Sequence, residues 1–115
     1  MRTFRYRAPR FSADFPIRLT IGESSHLARC KEISTFGMKL EIGRPLVCGS
    51  RGTLQLSFEQ FSFSLPFLVT NSQAEIGGIS FIYESDQQRS DVNQLLAWLR
   101  TEKPCTSLAV NRQIP

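Results

Sequence analysis

The sequence predicts an all-β protein: a six-stranded antiparallel barrel or sandwich followed by one C-terminal α-helix. Three observations carry that reading. Six stretches between Phe15 and Tyr83 favour apolar residues at alternate positions, the period-two signature of half-buried strands. Short segments rich in Gly, Ser, Thr and Asn separate most of them, as sequential antiparallel strands require. After Tyr83 the period lengthens to that of a helix.

The first strand contains Phe15, Ile17, Leu19 and Ile21, alternating with Pro16, Arg18 and Thr20, and Gly22-Glu23-Ser24-Ser25 ends it. A second runs from about His26 to Ser34, with weaker alternation. Ser34-Thr35-Phe36-Gly37 forms a turn, and Met38, Leu40 and Ile42 mark the third strand. Gly43 to Gly52 reads as a loop containing Pro45. Leu54, Leu56 and Phe58 define the fourth strand. Phe61, Phe63, Leu65, Phe67 and Val69 define the fifth, where Pro66 demands a bulge or an unpaired edge position. Asn71-Ser72-Gln73 reads as a hairpin connection, and Ile79, Phe81 and Tyr83 as the sixth strand. Val92, Leu95, Leu96 and Leu99 fall on one helical face, with Trp98 beside it, placed to close one end of a barrel. Ser85 and Gln88 have capping-box spacing ahead of that helix. The expected organisation is a basic N-terminal segment (1–14), the strands and helix (15–100) and a flexible tail (101–115).

Length and composition narrow the function. At 115 residues, 41% of them apolar, the chain supports one modest core. It is too short for a TIM barrel or a full dinucleotide-binding enzyme. No apolar run reaches the roughly 18 residues of a membrane helix, and no signal peptide follows the basic start, so a cytoplasmic protein without membrane insertion is expected. Three cysteines (Cys30, Cys48, Cys105) without a C-x-x-C pair form neither a disulfide framework nor a zinc site. Cys30 lies between Arg29 and Lys31, but on an alternating strand it points away from them into the core. The single histidine, His26, reads as an exposed loop residue without an orienting acid. Neither glycine-rich nucleotide fingerprint is present, and the carboxylates are scattered, so no catalytic residues, metal ligands or cofactor are expected.

The charge is uneven. The net charge is +4, yet residues 1–31 carry seven Arg or Lys against two acids, and the remainder is slightly negative. Four arginines fall in the first ten residues: Arg2, Arg5, Arg7 and Arg10. Arginine is suited to bidentate phosphate contact and to stacking on flat rings. An anionic partner and a merely solubilising terminus both fit the charge alone.

Three features then occur in order. Arg5-Tyr6-Arg7-Ala8-Pro9-Arg10-Phe11 precedes the first strand, Glu32-Ile33-Ser34-Thr35-Phe36-Gly37 ends the second, and Gly78-Ile79-Ser80-Phe81 lies in the last. Taken alone, the S-x-x-G turn reads as Gly37 supplying a positive φ. This combination resembles the PilZ domain family, bacterial receptors for the second messenger cyclic di-GMP, over about residues 4–100. The resemblance implies a six-stranded antiparallel β-barrel with a C-terminal helix, and a binding signature of R-x-x-x-R followed by D/N-x-S-x-x-G. Arg10 matches the second arginine. Tyr6 stands at the first, flanked by Arg5 and Arg7. Ser34 and Gly37 match the second motif, with Glu32 in place of Asp or Asn.

What the resemblance implies is a ligand-binding set of Arg5, Arg7, Arg10, Glu32, Ser34 and Gly37. The arginines would take phosphate or guanine, Glu32 would accept guanine N–H groups, Ser34 would add a hydroxyl and Gly37 would permit close approach. It further implies a change of surface on binding, read by an unidentified downstream protein. A degenerate module that does not bind the nucleotide and acts as a protein-protein adaptor is the alternative, motivated by Tyr6 and Glu32. A nucleic-acid partner is not expected, because residues 32–115 are net negative and the strand phenylalanines alternate inward.

Overall fold

The computed structural model describes residues 8–101. The strands are β1 (Phe11–Ile21), β2 (Ser24–Ile33), β3 (Gly37–Glu41), β4 (Arg51–Phe58), β5 (Phe61–Gln73) and β6 (Ile76–Phe81), followed by helix α1 (Asp86–Thr101). They form a closed antiparallel barrel in the order β1-β2-β3-β6-β5-β4, with β4 pairing back to β1. Closure leaves no free sheet edge in a short chain. Arg5, Arg7 and the expected tail after Thr101 lie outside the described residues.

Period two becomes burial directly. Phe15, Ile17 and Leu19 of β1, Leu54 and Leu56 of β4, and Leu65, Phe67 and Val69 of β5 are all at most 2% exposed. Each such side chain taken out of water contributes about 1.5–3 kcal/mol before entropy is counted. The inward faces meet Val92, Leu95, Leu96 and Leu99 of α1, which packs against β5 and β1. Trp98 sits edge-on to Phe58 and Phe61 at 5.4 and 6.1 Å, and Phe58 stacks on Phe15 at 4.4 Å, so aromatic rings plug that end of the barrel. Ser85 caps α1 by accepting the Gln88 N–H at 3.2 Å. Gln88 Oε1 in turn accepts the Glu84 N–H at 2.7 Å, one residue upstream of the usual capping-box partner.

Several boundaries differ from the sequence expectation. β1 begins at Phe11, inside the segment expected to precede the barrel, and pairs there with Ile33. Residues 71–73 are not a turn: β5 continues through Gln73, and the connection is Ala74-Glu75, with Ala74 in the left-handed region at φ 56°. Asn71 and Gln73 serve as exposed strand residues and the half-buried Ser72 hydroxyl accepts the Leu46 N–H at 2.8 Å, because ladder pairing with β6 overrides their turn preference. β6 accordingly starts early, at Ile76, and Tyr83 lies beyond its end. His26 is not in a loop: it is half-buried in β2 opposite Leu19, with Nδ1 3.4 Å from the Arg44 guanidinium. Pro66 sits neither at a bulge nor at a free edge: it lies opposite Thr53 of β4, and it is tolerated because the β6 ladder ends at Phe67–Phe81 and asks no N–H of it. Its carbonyl accepts the Ile82 N–H at 2.9 Å, so its ring nitrogen faces the same side, just past the last residue of β6. Cys30 is fully buried, as alternation implied.

Candidate functional site

A groove of about 390 Å³ runs over the outer face of β3 and β6. Arg10, Glu32, Ser34 and Gly37 all line it, together with Phe36, Lys39, Thr70, Asn71 and Ser80. Residues far apart in the chain therefore meet in one place, and two β-bulges do much of the gathering.

The first bulge is in β2. Cys30 pairs with Leu40, but the next partner of β3's Lys39 is Glu32, so β2 carries one extra residue. The inward series Ala28, Cys30 resumes only at Ile33. The extra residue lets Lys31 and Glu32 both escape the core, and it turns Glu32 toward the groove. The second bulge is in β5, where Val69 pairs with Ile79 and Asn71 with Gly78. It brings Thr70 and Asn71 to the opposite wall, where the Thr70 hydroxyl donates to the Gly78 carbonyl at 3.1 Å. The weak alternation of β2 was the sequence trace of the first bulge. Lys39, Thr70, Asn71 and Ser80 carried no comparable signal, because each is an ordinary outward residue until the ladder register is known.

Arg10 folds down beside this site. Its Nη1 lies 3.3 Å from Glu32 Oε1, with 53% and 36% of the two side chains exposed. Such a solvent-facing pair contributes at most about 1 kcal/mol. The Arg10 guanidinium is thus held in position without being committed. Lys39 stands directly across from Glu32 in the ladder, and among the described residues it has no ion-pair partner. Further along β1 and β2, Asp14 binds Arg29 at 2.7 Å and Lys31 at 3.5 Å. The Arg29 hydrogen bond holds the Asp14 carboxyl below its ordinary value of 3.8.

The turn from Ser34 to Gly37 is pinned from several sides. The Phe36 N–H donates to Ser34 Oγ at 3.1 Å, the Ser34 N–H to the Gly37 carbonyl at 2.9 Å, and the Phe81 N–H to the Phe36 carbonyl at 2.8 Å. Tyr83 donates its hydroxyl to the Thr35 carbonyl at 2.6 Å, while Arg89 of α1 lies 4.4 Å over the same ring. Burial raises the Tyr83 pKa, and the Arg89 charge works against that rise.

Gly37 does not have a positive φ; the positive-φ glycines among the described residues are Gly22 and Gly49. The structure instead demands glycine at 37 for space. A Cβ there would lie 2.1 Å from the Ile79 carbonyl oxygen. Ser34 thus helps form the turn that Gly37 lets close against β6.

Fold and groove together define a small β-barrel module with a polar, cation-flanked recognition surface. A family model for the PilZ domain matches residues 4–98, and the chain belongs to that family of cyclic di-GMP receptor domains. Solved structures agree on the fold. The PilZ domain of CeSA from a cellulose-synthesizing bacterium aligns with a TM-score of 0.72 at 15% identity, covering 81% of this chain and 99% of that one. The MrkH–c-di-GMP complex of K. pneumonia aligns with a TM-score of 0.74 at 21% identity over 90% of this chain. This chain spans 56% of the MrkH chain. No curated protein shows a significant match. No helix among the described residues is long and apolar enough to cross a membrane.

Proposed function

We propose that this protein is a cytoplasmic cyclic di-GMP receptor that changes its surface on binding and signals to a partner protein. The observation that carries the proposal is the meeting of Arg10 with the Glu32–Gly37 segment at one groove. Membership of the PilZ family and the fold shared with MrkH support the choice of ligand.

The chemistry follows from the groups present. Cyclic di-GMP offers two phosphodiester anions and two guanines. Arg10 can leave its weak pair with Glu32 and take a phosphate, or read the O6/N7 edge of guanine with two parallel N–H bonds. Glu32, so released, accepts the N1–H and N2–H donors of guanine. The Ser34 hydroxyl contributes one more polar contact. Arg5 and Arg7, close to Arg10 in sequence, supply further guanidinium groups for phosphate or for stacking on a base. Gly37 acts through the turn it permits. The output is binding to an unidentified downstream protein, and the reading assigns this chain no catalysis of its own.

Calorimetric titration with cyclic di-GMP, with GTP and cyclic GMP as controls, tests this. Losing a charged hydrogen-bond partner costs about 2–5 kcal/mol when the pair is buried, so Arg10→Ala is expected to weaken binding at least about tenfold. Equal affinity in wild type and Arg10→Ala would remove Arg10 from the site. The adaptor reading is favoured by Tyr6 at the first arginine position and by a Glu32 already engaged by Arg10. The absence of both a heat signal and a rise in melting temperature at saturating cyclic di-GMP would establish it, because a ligand of the native state must stabilise that state.

A further inference from the structure

Phe36 is 62% exposed, in a chain whose other described phenylalanines are buried or half-buried. It is exposed without being loose. Its own N–H and carbonyl are both hydrogen-bonded, and the preceding carbonyl receives the Tyr83 hydroxyl. A ring held out by a pinned backbone is presented at little further entropic cost. It stands on the rim of the groove that Arg10, Glu32 and Lys39 also line.

The floor beside it is low. On β6 the outward residues opposite Gly37 and Lys39 are Ser80 and Gly78. A Cβ on Gly78 would press within 3.0 Å of the Asn71 amide, so the bare glycine lets that amide lie close over the strand. Bare backbone and short side chains therefore line the β6 side of the groove, with the Phe36 ring on its rim. Lys39 is the one cation lining it among the described residues that holds no ion pair.

Resting on the receptor reading above, we propose that Phe36 is a base-stacking residue of the groove, and that Lys39 neutralises the phosphodiester adjoining the stacked base. A flat, weakly hydrated aromatic face offers a guanine dispersion and quadrupole contact, and a nearby ammonium supplies the charge that an aromatic ring lacks. Together with Arg10 this gives the two anions of a cyclic dinucleotide one described cation each.

The test is calorimetric titration of the full chain with cyclic di-GMP, using Phe36→Leu, Phe36→Trp and Lys39→Gln. Phe36→Leu keeps apolar bulk and removes the π-face, so affinity is expected to fall roughly 5- to 150-fold. Phe36→Trp is expected to keep or improve it. Lys39→Gln is expected to weaken binding about tenfold at low ionic strength and less at high salt. Both sites face solvent, so melting temperatures should match wild type and report any folding defect separately. Wild-type affinity in Phe36→Leu, or equal losses in the Leu and Trp variants, overturns stacking. Wild-type affinity in Lys39→Gln overturns the phosphate assignment. A wild-type protein that takes up no cyclic di-GMP ends both this inference and the receptor reading, whereas binding with indifferent variants ends this one alone.

Discussion

Replacing Gly37 with alanine separates a structural signature residue from a ligand contact. The added Cβ would sit 2.1 Å from the Ile79 carbonyl oxygen and 3.2 Å from Ser80 Cα. Both neighbours are backbone in β6, so neither can swing aside. Contacts below 3.0 Å are essentially never seen for a Cβ, so β3 and β6 must part by at least 0.9 Å, the difference from 2.1 Å. That displacement falls on the Gly37–Ser80 rung and on the adjacent Phe81 N–H to Phe36 carbonyl bond of 2.8 Å. Overpacking of this kind costs about 1–3 kcal/mol, and a weakened hydrogen bond adds about 1 kcal/mol. A loss near 3 kcal/mol lowers the melting temperature of a domain this size by roughly 12–24 °C. Thermal unfolding by circular dichroism, in the absence of nucleotide, measures it. A melting temperature within about 2 °C of wild type would refute the close-approach argument. If the drop is found, failure of a Gly37→Ala protein to bind nucleotide says nothing about contact between Gly37 and the ligand.

Other outcomes follow from the same geometry. Leu99→Ala, at a site 2% exposed where α1 covers the core, should cost about 2–5 kcal/mol in urea denaturation with little change of slope. Tyr83→Phe removes the hydroxyl that holds the Thr35 carbonyl, and should cost about 1 kcal/mol while weakening cyclic di-GMP binding through a looser turn. Asp14 has a folded pKa below its ordinary 3.8, so its contribution is present above that value and is lost as pH falls through the lowered one. Asp14→Asn should therefore melt below wild type at neutral pH, and the two curves should converge in acid; a constant gap would refute the linkage.

Much of the architecture was legible before any coordinates. Strict alternation in β1, β4 and the first half of β5 marks residues that must face inward together, since a one-residue slip would carry the whole apolar set to solvent. The helix stripe and its Ser85 cap were legible for the same reason: both are local consequences of spacing. The two signature segments were visible as motifs, and Arg10 does meet Glu32.

What local pattern left open was set by pairing between distant strands. The amino acids at 71–73 favour a turn, yet the ladder with β6 keeps them extended and moves the reversal to Ala74. The bulges in β2 and β5 shift side chains by one position relative to their neighbours, and only the register reveals that Glu32, Lys39, Thr70 and Asn71 share one groove. Gly37 is glycine because of a carbonyl 42 residues away in the chain. The number of strands and the inward faces of the strictly alternating ones were therefore determined by the amino-acid order alone, since burial acts residue by residue. The recognition surface was decided by tertiary closure, which alone brings the outer faces of separate strands together.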